Sequence, residues 1–157
     1  MIKSWMVIGA VTLLVASAAG LMNSGDTKWF NRLTRPRWLT FERAIPVIWT
    51  TIFICGAWSA YIVWENDPGS TKTWLLMGFY LLVEVVTIAY TPVMTKFRSL
   101  KVGTIIGGTG AVLGTILALL VLPISLWAFL LLVPYIIWSP IGTYVTWKMI
   151  KLNPEAA

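Results

Sequence analysis

Histidine is absent from this chain and cysteine occurs once. Without histidine there is no histidine-ligated haem, no histidine-containing zinc site and no Ser-His-Asp catalysis. Cys55, alone, allows neither an intrachain disulfide nor a CxxC pair. No GxxxxGK[ST] phosphate loop occurs. Charge is scarce as well: 11% of the 157 residues, against roughly 25% in a soluble domain. Acidic residues number 6 beside 12 Lys and Arg, a net charge of +6.

What fills the gap is apolar. The chain is 58% hydrophobic with a mean hydropathy of +0.80, more apolar surface than a water-soluble protein of this size can hide. Five stretches, residues 5–22, 44–64, 73–94, 102–122 and 126–147, are long and apolar enough to span a hydrocarbon core of ~30 Å, which takes about 20 residues each. Connections are short except for residues 23–43, a long first loop. This predicts an all-α integral membrane protein: one five-helix domain without a soluble appendage. The cluster Ala16-Ser17-Ala18-Ala19-Gly20 resembles a signal-peptidase site. The apolar run before it is long for a signal peptide, and the rest of the chain is itself apolar, so the segment is read as a retained first helix.

With five spans, Lys3 and Lys72 fall on one side, and ten cations, from Lys28 in the first loop to Lys151, fall on the other. That asymmetry places the N-terminus outside and the C-terminus in the cytoplasm. The cations flank spans, so they read as topology signals and anionic-lipid contacts rather than as a nucleic-acid surface. No nucleic-acid partner, metal site or required cofactor is expected.

One segment carries more than topology. Trp29-Phe30-Asn31-Arg32-Leu33-Thr34-Arg35-Pro36-Arg37-Trp38 packs three aromatics, three arginines and a proline between two apolar runs. Indoles and guanidinium groups together suit the bilayer interface. The pattern Trp29-Phe30-x-x-Leu33-x-Arg35-Pro36-x-Trp38 resembles the first-loop signature of the translocator protein family, the tryptophan-rich sensory proteins. The likeness continues through Trp49-Thr50-Thr51-Ile52-Phe53, Gly78-Phe79-Tyr80, Ala89-Tyr90-Thr91-Pro92 and Pro134-Tyr135-Ile136-Ile137-Trp138. There are departures. Thr40-Phe41 stands where the family has a diproline, Thr87-Ile88 where it has Asn-Trp, and Thr146 where it has asparagine. The forward cholesterol-recognition pattern fails at Tyr144, and only a reversed form, Lys28-x-Phe30-x-x-Leu33, matches.

The resemblance implies a divergent bacterial-type member in the plasma (inner) membrane or an internal membrane, with a five-helix bundle, homodimers, and a pocket toward the first loop that takes porphyrins and related apolar aromatic ligands. Without histidine, a tetrapyrrole would be held by packing, by polar contacts or by a weak ligand such as Cys55, Met or Tyr. A metal-free porphyrin or an open-chain bilin is the easier guest. Helical spacing is compatible: Trp49, Phe53, Gly56 and Ala60 share one face of the second span, and Tyr135, Trp138, Gly142 and Thr146 one face of the fifth. Opposed, these faces would form an indole-lined slot floored by Gly56 and Gly142; equally, the same aromatics can simply fill the bundle core. The candidate ligand-binding residues are Trp29, Arg35, Pro36, Trp38, Trp49, Phe53, Gly56, Glu84, Thr87, Tyr90, Tyr135, Trp138, Gly142 and Thr146.

Three of the features leave alternatives open. Glu84 sits in mid-span, where a carboxylate costs about 2.5–3.5 kcal/mol on insertion scales. It is either a ligand partner or proton relay, or a neutral acid bonded across a helix interface. Arg32, Arg35 and Arg37 are either propionate clamps or lipid-headgroup anchors. Gly103-x-x-x-Gly107 and Gly110-x-x-x-Gly114 serve close packing inside the bundle or at a dimer seam. Of the function classes, a receptor-like tetrapyrrole-binding protein tied to stress or tetrapyrrole regulation leads. The alternatives are an enzyme that oxidatively degrades porphyrin, with Trp49 and Trp138 as electron donors, and a transporter of porphyrin or another apolar metabolite, steroids included.

Overall fold

A computed structural model describes residues 1–18 and 24–157. All regular structure among them is helical: α1 (Ser4–Ser17), α2 (Ser24–Arg32), α3 (Ile45–Asn66), α4 (Thr71–Phe97), α5 (Leu100–Val121) and α6 (Leu126–Leu152), with short 3-10 turns at Glu42–Ala44 and Pro154–Ala156. Helices α3 to α6 are long and apolar enough to cross a membrane. At 22 to 27 residues they reach about 33–40 Å, more than the ~30 Å hydrocarbon thickness. The 14 residues of α1 reach about 21 Å. The end of the predicted first span, from Ala19 on, and the Ala19-Gly20 half of the small-residue cluster lie outside the described residues.

The long helices end at chemical stops, not where hydropathy fades, which is why α4 and α6 overrun the predicted spans. Ser70, Ser99 and Ser125 cap α4, α5 and α6, accepting from the amides of Thr73 (3.1 Å), Val102 (3.3 Å) and Ala128 (3.2 Å). Such caps are worth about 1 kcal/mol each over alanine. Lys96 and Lys151 lie in the last turns of α4 and α6, where the helix dipole favours cations. Helix α4 stops at Arg98, which takes a left-handed conformation (φ 49°) while its amide and that of Ser99 return to the carbonyls of Thr95 and Met94.

The segment predicted as a long first loop carries a helix, α2. Asp26 in its first turn and Arg32 in its last complement the dipole. Trp29 and Phe30 lay it on a cluster formed by Leu33, Met94, Leu100, Met149 and Ala156. Helix α5 packs against α4 and α6, α3 against α6 and α1, and α1 against α4. These contacts close a ring in the order α1, α3, α6, α5, α4.

Glycines set the tightest contact of the ring. A Cβ placed on Gly103 would collide with Met94 and press on Thr146, one on Gly107 would lie 2.6 Å from Thr143 Oγ1, and one on Gly110 2.8 Å from the Tyr135 hydroxyl. One on Gly114 would enter the Tyr135 ring. Both GxxxG pairs are therefore consumed by packing inside the bundle, against α4 and α6. Gly114→Ala is expected to lower stability by about 1–3 kcal/mol, because an aromatic ring cannot step aside as a flexible chain end can. Gly142→Ala, where an added Cβ meets nothing within 4 Å, should be close to neutral. Thermal unfolding of the two variants in one detergent checks the pair.

Candidate ligand-binding slot

Inside the ring, α3, α4, α5 and α6 leave a narrow slot with a cavity volume of about 40 Å³, lined by residues that include Trp49, Phe53, Gly56, Glu84, Thr87, Gly114 and Tyr135. Its lining is mostly apolar with a few polar groups, as small-molecule sites are. Trp49 meets Phe53 at 6.2 Å between ring centres and Tyr135 edge-on at 6.3 Å. Both are geometries aromatic pairs prefer. The α3 stripe of Trp49, Phe53 and Gly56 thus does face the α6 stripe at Tyr135. Tyr135 is fixed in turn: its hydroxyl lies 2.9 Å from Thr87 Oγ1. Thr87 spends its own hydrogen on the carbonyl of Val83 (2.7 Å), so Tyr135 is the donor.

A buried three-helix tie closes the end of the slot nearest Tyr80. Ser59, fully buried, donates to the Ala128 carbonyl at 2.7 Å, and its oxygen accepts from the Tyr80 hydroxyl at 2.6 Å. Every hydroxyl in that tie has a partner, as a low-dielectric interior requires. Glu84 sits above it at the midpoint of α4. One of its oxygens, Oε1, accepts from Thr12 of α1 at 3.0 Å, and the carboxyl lines the slot.

The remaining predicted residues form a second tier at the loop end. Tyr90 donates to Thr146, which itself donates to the Gly142 carbonyl at 3.1 Å. Trp138 stacks edge-on with Phe41 at 6.1 Å and packs on the main core, but it is not among the slot-lining side chains. Its indole N–H is buried and has no acceptor among the described residues. Such a donor costs about 1–3 kcal/mol until an acceptor arrives from water or a ligand. Gly142 is not among the residues that line the slot. Gly114, from α5, takes that place, with the Tyr135 ring laid across it.

Arg35 is engaged within its own loop. Its guanidinium donates to the carbonyls of Phe30 (2.6 Å) and Leu33 (2.7 Å), pairs with Glu42 at 3.2 Å and covers the Phe30 ring at 4.4 Å. It staples α2 to the turn before α3, with Pro36 buried beside it and Arg32 and Arg37 exposed. Trp38 is exposed and leans on Tyr144 at 6.2 Å, and Trp29 packs on the loop-end cluster. None of these first-loop residues lines the slot.

Several structural residues escaped the sequence reading. Asn153, almost wholly buried, accepts from the Thr34 amide at 2.7 Å and donates to the Thr34 carbonyl at 3.0 Å, so the C-terminus holds the first loop down. An asparagine before a proline near a chain end gives no sign of this. Ser59, Thr12, Leu117 and Leu132 were likewise silent; Gly114 was visible as a close-packing residue but not as a wall of the slot.

The family model described as TspO/MBR family matches residues 7–152. The chain is 26% identical over 151 residues to the Bacillus subtilis membrane protein YtaB, covering 94% of this chain and 95% of that one. It is 25% identical over 152 residues to the tryptophan-rich protein TspO of Bacillus cereus, covering 96% and 97%. To protein CrtK of Rhodobacter capsulatus it is 24% identical over 149 residues, covering 92% and 89%.

Because Asn153 joins the loop by a paired amide contact, Asn153→Ala should release it at a cost of about 1–3 kcal/mol. Trypsin cleavage after the exposed Arg37 is expected to accelerate roughly tenfold, with helix content by circular dichroism unchanged.

Proposed function

The chain belongs to the TspO/MBR family of membrane proteins, and from that premise we propose that it is a receptor-like protein binding a tetrapyrrole, or a closely related flat apolar ligand, in the slot among α3, α4, α5 and α6. The reading rests on the convergence of Trp49, Phe53 and Tyr135 around a gap walled by Gly56 and Gly114. Flat rings stack on flat rings, each aromatic pair adding roughly 0.5–1.5 kcal/mol beyond the area it buries. Gly56, where an added Cβ meets nothing within 4 Å, leaves its wall open, while the space over Gly114 seats the Tyr135 ring. A tetrapyrrole partitions into the bilayer, so a binding site inside a membrane bundle meets it where it is concentrated. The physiological output in this reading is stress sensing or tetrapyrrole regulation.

The same proposal takes α1 as the first of five spans, with the N-terminus outside and the C-terminus cytoplasmic, on the ratio of ten flanking cations to two. It includes a homodimer. The glycine face of α5 is occupied within the bundle, so the seam would use a lipid-facing surface.

Two experiments test this reading. Protoporphyrin IX added to the detergent-purified protein is expected to quench tryptophan fluorescence saturably, with the Soret band intact in light and dark. Trp49→Phe should weaken the quenching severalfold; Trp138→Phe, at a residue outside the slot lining, should weaken it less. Light-dependent Soret bleaching that needs both tryptophans would replace the receptor by a porphyrin-degrading enzyme, and absence of saturable quenching would overturn tetrapyrrole binding. For topology, alkaline phosphatase fused after Gly69 should be active and green fluorescent protein fused at Ala157 should fluoresce; the opposite pattern inverts the orientation.

A further inference from the structure

We infer that Glu84 makes the slot selective for ligands that present a protonated or N–H-bearing nitrogen edge, and that among tetrapyrroles it favours the open chain over the metallated ring. The inference rests on the reading that the slot binds tetrapyrroles, and it concerns a residue outside the motifs that mark the family. Glu84 is the only acidic side chain lining the slot, and it stands about 20 Å along α4 from either end. Thr12 satisfies one oxygen. No other protein donor reaches the carboxyl among the described residues.

No cation of the chain answers it either. The lysines and arginines lie at helix ends and in connections, none lines the slot, and Arg35 is committed to Phe30, Leu33 and Glu42. A half-buried acid in mid-span without a counter-ion either keeps its proton or waits for a cation brought from outside. If its task were only to hold α1, one acceptor would suffice, and α1 has a second polar tie from Ser4 to Glu65. A carboxyl adds a second acceptor oxygen, on a residue that lines the slot.

The chemistry then sorts the guests. An open-chain tetrapyrrole gathers its pyrrole N–H groups along a concave edge and takes up a proton on one nitrogen. A carboxylate accepts from that edge in a charge-assisted contact, which a dry apolar wall strengthens. In a metallated macrocycle all four nitrogens are bound to the metal and no N–H remains. In a metal-free ring the N–H groups point to the ring centre, away from a carboxyl at the wall.

The test titrates wild type, Glu84→Gln and Thr12→Val with biliverdin and with zinc protoporphyrin IX, following tryptophan fluorescence and pigment absorbance. Glutamine keeps an oxygen for Thr12, so the fold is preserved. Glu84→Gln should raise the biliverdin Kd about tenfold or more, the loss expected for a charged hydrogen bond, and leave zinc protoporphyrin within about threefold. Bound biliverdin should show the red-shifted long-wavelength band of the protonated pigment in wild type only. Thr12→Val, which cuts the tie to α1 and keeps the acid, should retain the preference. Equal losses for both pigments, no loss for either, or the same loss in Thr12→Val would overturn the inference. So would zinc protoporphyrin binding to wild type that biliverdin does not share. Failure of both pigments to saturate wild type would instead overturn the tetrapyrrole reading beneath it.

Discussion

The approach of α5 to α6 through Gly103, Gly107, Gly110 and Gly114 is the contact on which the rest of the bundle depends. Lipid tails are as apolar as leucine, so no hydrophobic drive presses these helices together; packing and hydrogen bonds must do it. Four glycines on one face let Thr143, Thr146 and Tyr135 lie against backbone where side chains would otherwise stand. Once Tyr135 lies across Gly114, its hydroxyl reaches Thr87 and its ring edge meets Trp49. The slot's shape follows from that placement: α6 is drawn to α5, and the gap opens on the side of α3 and α4.

Polar groups are used sparingly and almost all are consumed. The hydroxyls of Ser59, Tyr80, Thr87, Tyr90, Tyr135 and Thr146 are paired, and they link α4 to α6 and α3 to both. A hydrocarbon surround punishes unpaired polar atoms, so these ties fix helix rotation more firmly than apolar contacts do. Against that background the two incomplete groups are informative. Among the described residues, Trp138 has a donor without an acceptor, and Glu84 has an acceptor oxygen without a donor. They carry opposite hydrogen-bonding demands, and of the two only Glu84 lines the slot.

The loop end is built differently. Arg35 gathers two carbonyls, an aromatic face and Glu42, while Asn153 clasps Thr34. This makes the first loop a docked cover rather than a free strand, despite Thr40-Phe41 standing where the family's pattern has a rigid diproline. Phe41 instead contributes a ring to Trp138, so the departure substitutes a packing contact for a backbone restraint. Ligand access from this end would require that contact and the Asn153 clasp to open together.

Helix type, the four long spans and the membrane setting were legible because they follow from local quantities: twenty-odd apolar residues and flanking cations. The aromatic stripe of Trp49, Phe53 and Gly56 was also legible, since spacing along one helix dictates which residues share a face. What spacing cannot give is the partner of a face. Nothing along the chain says that α5, and not α6, supplies the glycine wall. Nor does it say that Arg35 is spent within its own loop, that Trp138 turns toward Phe41, or that Asn153 reaches across 119 residues to Thr34. Those were decided by tertiary structure, because helix rotation and neighbour order are set by the joint minimum of many weak packing and hydrogen-bond terms, each between residues distant in sequence.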